Sequence, residues 1–92
     1  MKPLFPFDAA LHAIHASAHR LRNGICGVPE LMTVIQRYAP SIERHVGLPV
    51  SCDALRATLV TSCNNWLDRR DDADLEQICG IAEQIRGRMP RN

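Results

Sequence analysis

The chain predicts a small all-α fold, an antiparallel four-helix bundle, and three observations carry that expectation. Apolar residues recur in steps of three and four along four successive segments, the period of a helix and not of a strand. Short connections bearing Gly, Pro or Asp separate the segments, as antiparallel neighbours require. Aromatic residues are scarce: Phe5, Phe7, Tyr38 and Trp66 are all there is in 92 residues. A core built without them relies on Leu, Ile, Val, Ala and Cys, which suits closely spaced helices better than a sheet sandwich.

Asp8 is placed to cap a first helix running to about Asn23, with Pro6 just ahead of it. Its seam is Phe7, Leu11, Ile14, Ala18, Leu21 and Ile25, and Gly24 and Gly27 end it, because glycine tolerates the left-handed turn at a helix C-terminus. A second helix starts near Val28-Pro29-Glu30, where proline suits the first turn and glutamate the positive end of the dipole. Leu31, Ile35, Tyr38 and Ile42 form its stripe, with Val34 and Val46 beside it. Pro40 lies inside this pattern. Proline lacks an N–H and pushes the residue before it out of the helical region, so a kink or a break is expected there. The stripe continues in register past Pro40, which favours the kink. Gly47-Leu48-Pro49 closes the segment.

Ser51 or Asp53 can cap the third helix, which is expected to reach about Arg69 with a seam of Cys52, Leu55, Leu59, Ser62/Cys63 and Trp66. Asp71-Asp72 is a short connection and cap. The fourth helix places Leu75, Ile78, Ala82, Ile85 and Met89 on one face, with Arg86 and Arg88 at its negative end and Pro90 to stop it. Residues 1–92 are thus expected to form one helical domain. The seams are narrow, close to two apolar positions per heptad, and such seams leave apolar surface for a partner or a second copy. The alternative architecture is a dimer of helical hairpins in which each chain supplies half the bundle.

Composition narrows the function classes. Eleven basic residues, ten of them Arg, stand against ten acidic ones, a net charge of +1. That balance gives no general field for nucleic acid or an anionic membrane, so neither is expected as a partner. Arg86, Arg88 and Arg91 form a small basic tail without the aromatic interleaving of a nucleic-acid site. No apolar run approaches the ~18 residues that span a bilayer. Met1-Lys2, Leu4, Phe5 and Phe7 followed by Ala16-Ser17-Ala18 imitate a secretory signal, but Asp8, His12 and His15 interrupt the stretch that has to be apolar. Cys26, Cys52, Cys63 and Cys79 are therefore expected as reduced thiols in a cytoplasmic protein of bacterial type.

Three constellations bear chemistry. His12, His15 and His19 fall within about 60° of one another on the first helix, and His15 and His19 have the i,i+4 spacing with which two imidazoles share a metal ion. Zn²⁺, Ni²⁺ or Cu²⁺ would accept such ligands, with Cys26 or His45 to complete the set. No Glu follows the first His in the manner of a metalloprotease, so no general base accompanies them. Cys52, Cys63 and Cys79 sit on or beside seams and read as small core hydrophobes, while Cys26, in a glycine-flanked turn, is the thiol placed to be exposed and reactive. Trp66 belongs to a seam and reads as core.

The pentapeptide His19-Arg20-Leu21-Arg22-Asn23 resembles the phospho-acceptor box of sensor histidine kinases and, more loosely, histidine phosphotransfer domains, themselves small four-helix bundles. The resemblance implies an exposed imidazole at His19 that accepts phosphate and passes it to a receiver aspartate. No ATP-binding domain accompanies it, so it implies a relay and not a kinase. Gly24, Gly27 and Pro29 interrupt the helix where that family's continues.

No paired carboxylates, phosphate loop or triad-like set is present, and 92 residues leave little room for an enclosed pocket. The expected function is therefore non-enzymatic and cofactor-free: a small regulator or adaptor that binds another protein, or a second copy, through a helical face. The second helix is the expected docking face through Leu31, Met32, Val34, Tyr38 and Ile42.

Overall fold

The computed structural model describes residues 5–88 and contains four helices: α1 (Phe7–Arg22), α2 (Val28–Glu43), α3 (Val50–Arg69) and α4 (Asp72–Arg88). The described residues contain no strand. Met89, expected on the face of the fourth helix, Pro90, expected to stop it, and Arg91 of the basic tail lie outside this range, as do the first residues of the signal-like stretch.

Each helix packs on two others in a closed ring: α1 on α2, α2 on α3, α3 on α4, and α4 back on α1. The diagonal pairs make no close backbone approach. Connections at 23–27, 44–49 and 70–71 are too short to run the length of a helix, so consecutive helices are antiparallel and the result is a small four-helix bundle. The radius of gyration, 12.3 Å, is that of a compact chain of this length, roughly 12 Å.

The core is one cluster drawn from all four helices. Helix α1 contributes Phe7, Ala10, Leu11, Ile14 and Ala18; α2 contributes Leu31, Ile35 and Ile42; α3 contributes Leu59, Cys63 and Trp66. Helix α4 buries more than a narrow seam, since Cys79 and Ile81 join Leu75, Ile78, Ala82 and Ile85 inside. The expectation of narrow seams leaving bare apolar faces fails on α4. The large apolar side chains that stand most exposed sit between helices or at their first residue: Ile25 (69%), Val46 (84%), Val50 (88%) and, less so, Val28. Ile25 was expected in the seam of α1 and Val46 beside the stripe of α2, but both follow the end of their helix, where the chain has left the helical path.

Helix ends account for these boundaries. Asn23 and Gly24 terminate α1 with Gly24 at φ +74°; its N–H donates to the Leu21 carbonyl at 3.0 Å and that of Ile25 to Arg20 at 2.8 Å. These are the two bonds of a Schellman cap. Asp8 lies in the first turn and not at the cap, which is Pro6. Helix α2 continues unbroken through Pro40, so the expected alternative of two separate short helices does not occur. Gln36, whose carbonyl would otherwise pair with residue 40, is exposed. The far end of α2 is closed from another helix: Arg56 of α3 donates to the carbonyls of Ile42 (3.2 Å) and Glu43 (2.7 Å) while its Nε bonds Asp53 at 2.8 Å. Helix α3 begins one residue ahead of Ser51, with Pro49 at the cap and no side-chain capping bond. It ends at Arg70, which takes the left-handed conformation (φ 54°) and donates its N–H to the Trp66 carbonyl. Asp71 caps α4, accepting from the Ala73 N–H at 3.0 Å.

Leu31 has no exposed surface, so Leu31→Ala is expected to cost roughly 2–5 kcal/mol and Leu31→Arg to unfold the chain. Urea denaturation of Leu31→Ala and circular dichroism of Leu31→Arg check both. A Leu31→Arg variant that keeps its helical spectrum would show that this side chain is not part of the core.

Candidate functional site

The three histidines of α1 do not gather into a ligand set. Among the described residues no group of three or more His, Cys, Asp or Glu side chains is arranged to hold a metal ion. His12 is exposed, and the His15 and His19 ring centroids are 6.2 Å apart. His15, 17% exposed, is engaged on both nitrogens from α4: Arg86 approaches Nδ1 at 3.0 Å and Glu83 approaches Nε2 at 3.4 Å. A guanidinium only donates, so Nδ1 accepts and Nε2–H points at the carboxylate. The candidate fourth ligands lie elsewhere. His45 stacks on Phe7 with centroids 4.4 Å apart, two turns or about 12 Å along α1 from His15. The Cys26 thiol faces the Ser17 carbonyl at 3.7 Å.

His19 is exposed, as a phosphate acceptor would be, but its Nδ1 accepts from Arg22 at 3.0 Å. By the same donor logic its proton is on Nε2. The nitrogen with the nucleophilic lone pair is therefore the one that Arg22 covers. Arg22 also reaches Glu76 of α4 at 3.5 Å, so a relay through His19 would have to undo an inter-helix contact first.

The docking face expected on α2 divides by helical angle. Leu31 and Ile42 are buried and form the centre of its inward stripe, so they offer nothing to a partner. The periodicity that singled them out was the signature of the core. Met32 leans toward α3, where its sulfur lies 3.3 Å from Arg70. Val34 and Tyr38 flank the stripe and are half-buried. At Tyr38 the chain ahead of α1 crosses α2: the Phe5 N–H donates to Ser41 Oγ at 2.9 Å and the Phe5 ring stacks on Tyr38 at 4.7 Å, tilted by 49°. The Arg37 guanidinium covers both rings, 5.3 Å from the Phe5 centroid and 5.8 Å from that of Tyr38. Sequence reading missed Phe5 and Arg37 at this site. Their adjacent signal, an aromatic residue ahead of a proline and a basic neighbour of Tyr38, carries no helical period.

The surface recesses among the described residues include three. A shallow one of ≈160 Å³ lies between α2 and α3 at Pro40, lined by Ile35, Ala39, Val60 and Leu67. One of ≈400 Å³ sits at the α2–α3 connection beside Val46, Leu48 and Val50. The third, ≈290 Å³, lies at the opposite end of α2, where Trp66 and Leu75 meet Arg22, Arg70, Asp72 and Glu76.

The thiols divide as the seams do. Cys52, Cys63 and Cys79 are buried, as expected, and all four cysteines are free. Burial pushes the Cys63 thiol up to about 12. Burial also raises Cys79, outweighing the nearby Arg22. Cys26 departs from the expectation of a reactive thiol: burial, a hydrogen bond to Glu30 and that residue's charge all raise it, against a smaller opposing effect of Arg20. A raised thiol is a poor nucleophile at neutral pH.

Compared with known protein families, characterised proteins and solved structures, the chain matches none of them. No helix among the described residues is long and apolar enough to cross a membrane.

Native protein at neutral pH is expected to react with a disulfide reagent at Cys26 more slowly than free cysteine does, and at Cys63 only after unfolding. The folded chain keeps the Cys63 proton to about 12 whereas the unfolded chain releases it near 9. This contribution to stability is full below the lower value and is lost as pH rises through that interval. Cys63→Ala should lose less stability than the parent between those values. Equal losses in denaturant titrations would show that Cys63 does not carry the effect.

Proposed function

We propose that this is a small, non-enzymatic adaptor or regulator that binds another protein through the α1–α2 edge of its bundle. The observation that carries this reading is the half-exposed cluster of Phe5, Val34, Arg37 and Tyr38. Tyrosine and arginine are the residues that anchor protein interfaces most often. Here they are held in place by stacking, so little rotamer entropy is left to lose on binding. The cluster keeps two of the five docking residues expected on α2, Val34 and Tyr38. Four free cysteines suit a reducing compartment such as the cytoplasm.

Metal binding through His12, His15 and His19, and phosphate relay through His19, are the competing readings. Each needs a nitrogen that already has a partner on its own helix or on α4. No observation favours either over the edge of α2.

Native mass spectrometry of tagged protein drawn gently from its own host tests the proposal. A stoichiometric complex with one other protein is expected for the parent. The Tyr38→Arg variant should lose it while keeping the parent's helical spectrum, its melting temperature lower by a few degrees. A parent that emerges alone overturns the reading. So does Tyr38→Arg unfolding outright, since Tyr38 would then be core.

A further inference from the structure

The arginines of this bundle are mostly spoken for. Arg20 pairs with Glu30, Arg22 with Glu76, Arg56 with Asp53 and Arg69 with Asp74. Arg86 holds His15, and Arg70 bonds the Leu67 carbonyl and Met32. Among the described residues, Arg37 on α2 and Arg44 at its C-cap have neither a carboxylate nor a hydrogen-bond partner for their guanidinium groups; Arg88, at the last described residue of α4, is the other such arginine.

Arg37 and Arg44 are seven residues apart, and Arg44, at the C-cap, still has right-handed helical backbone angles (φ -90°, ψ -5°), so their Cα atoms lie on one side of α2 about 10 Å from each other. Both are exposed. Arg37 lies over Phe5 and Tyr38, and its N–H groups have no acceptor among the described residues. Glu43, next to Arg44 in sequence, lines the recess on the α3 side of α2 and pairs with neither. The aromatic edge of α2 is therefore bordered by two uncompensated positive charges.

We infer that the partner segment seated on this edge is acidic. It is a stretch of protein with carboxylates spaced to meet Arg37 and Arg44 and apolar side chains beside them to lie on Val34 and Tyr38. This rests on the protein-binding reading proposed above and adds the chemistry of the occupant. A guanidinium takes a carboxylate in a two-point fork, which fixes orientation as well as charge. Two arginines beside stacked rings are too small a basic surface for a nucleic-acid backbone, which is bound through rows of such charges.

The test uses short fluorescent peptides of the same helical pattern, one built from Leu and Glu, one from Leu and Gln, and one from Leu and Lys, with an oligouridylate as a further probe. Fluorescence anisotropy at low and physiological salt should show the Leu–Glu peptide binding about tenfold or more tightly than the Leu–Gln peptide, with the advantage shrinking as salt rises. The double variant Arg37→Glu, Arg44→Glu should lose that advantage and turn toward the Leu–Lys peptide. Both positions are exposed, so its helical spectrum should match the parent's, and Arg37→Gln with Arg44→Gln supplies a milder check. Equal binding of the Leu–Glu and Leu–Gln peptides, no binding of either, or no effect of the double reversal overturns the inference. So does tighter binding of oligouridylate than of any peptide. The host complex separates this failure from that of the parent reading. A partner kept by the double reversal but lost by Tyr38→Arg removes only the acidic occupant, whereas no partner at all removes the docking edge itself.

Discussion

The constraint on which this bundle depends is the shortage of large side chains to fill it. Phe7 and Trp66 are the aromatic residues in the core. The space around them is closed by bringing helices together over small residues, Ala10 and Ala18 on α1, Cys63 on α3, Cys79 and Ala82 on α4. Close approach has a second effect. Ser17, Ser41 and Ser62 are small enough to be buried, and two of them accept or donate a bond where elements meet, Ser41 with the Phe5 N–H and Ser62 with Gln77. Buried cysteines belong to the same economy of volume, since a thiol fills about the space of a small aliphatic group and needs no partner.

Around that core the polar groups act as fasteners, and each side of the ring has its own. Arg20 and Glu30 join the two ends of the α1–α2 turn. Arg56 reaches from α3 to the open carbonyls of α2. Arg69 spans both oxygens of the buried Asp74 across the α3–α4 connection, at 3.0 Å each. His15, between Glu83 and Arg86, and Arg22, against Glu76, join α1 to α4. Those of these pairs that are exposed, all but the one on Asp74, contribute little to stability individually, about 0–1 kcal/mol. Their value is register: each is satisfied in one relative placement of its two helices and broken in others. His15, one of the histidines that looked like ligands in the sequence, is used up in this way.

The fold was legible because a helix stripe and a short connection are local signals, and α1 to α4 each fall close to where the periodicity put them. The inward stripe of α2 was legible for the same reason, and that is why the expected docking face went wrong at Leu31 and Ile42. A 3.6-residue period reports which residues are apolar together; in a closed ring those residues face inward. The pairing of His15 with α4 was invisible, because nothing in α1 says which of its neighbours supplies Glu83 or Arg86. Phe5 was equally hidden. It lies outside any helix, and its contact with Ser41 and Tyr38 spans more than thirty residues of chain. Ile25 and Val46 were misplaced by extending a stripe past a helix end, where the direction of the side chain is no longer set by the helix.

One helix therefore has to serve two purposes that compete for the same angular space. On α2 the centre of the apolar sector belongs to the core, and only its margins, Met32 toward α3 and Val34 and Tyr38 toward the Phe5 segment, reach the surface. A partner seated on such a margin buries less apolar area than one seated on a bare stripe, so area alone would give it weak affinity. What offsets this is order already present before binding. Phe5 is tied down by its bond to Ser41, Tyr38 is stacked on Phe5, and Arg37 is laid over both. Three large side chains are thus set in place by the fold itself, and the two guanidiniums that border them decide which charge completes the surface.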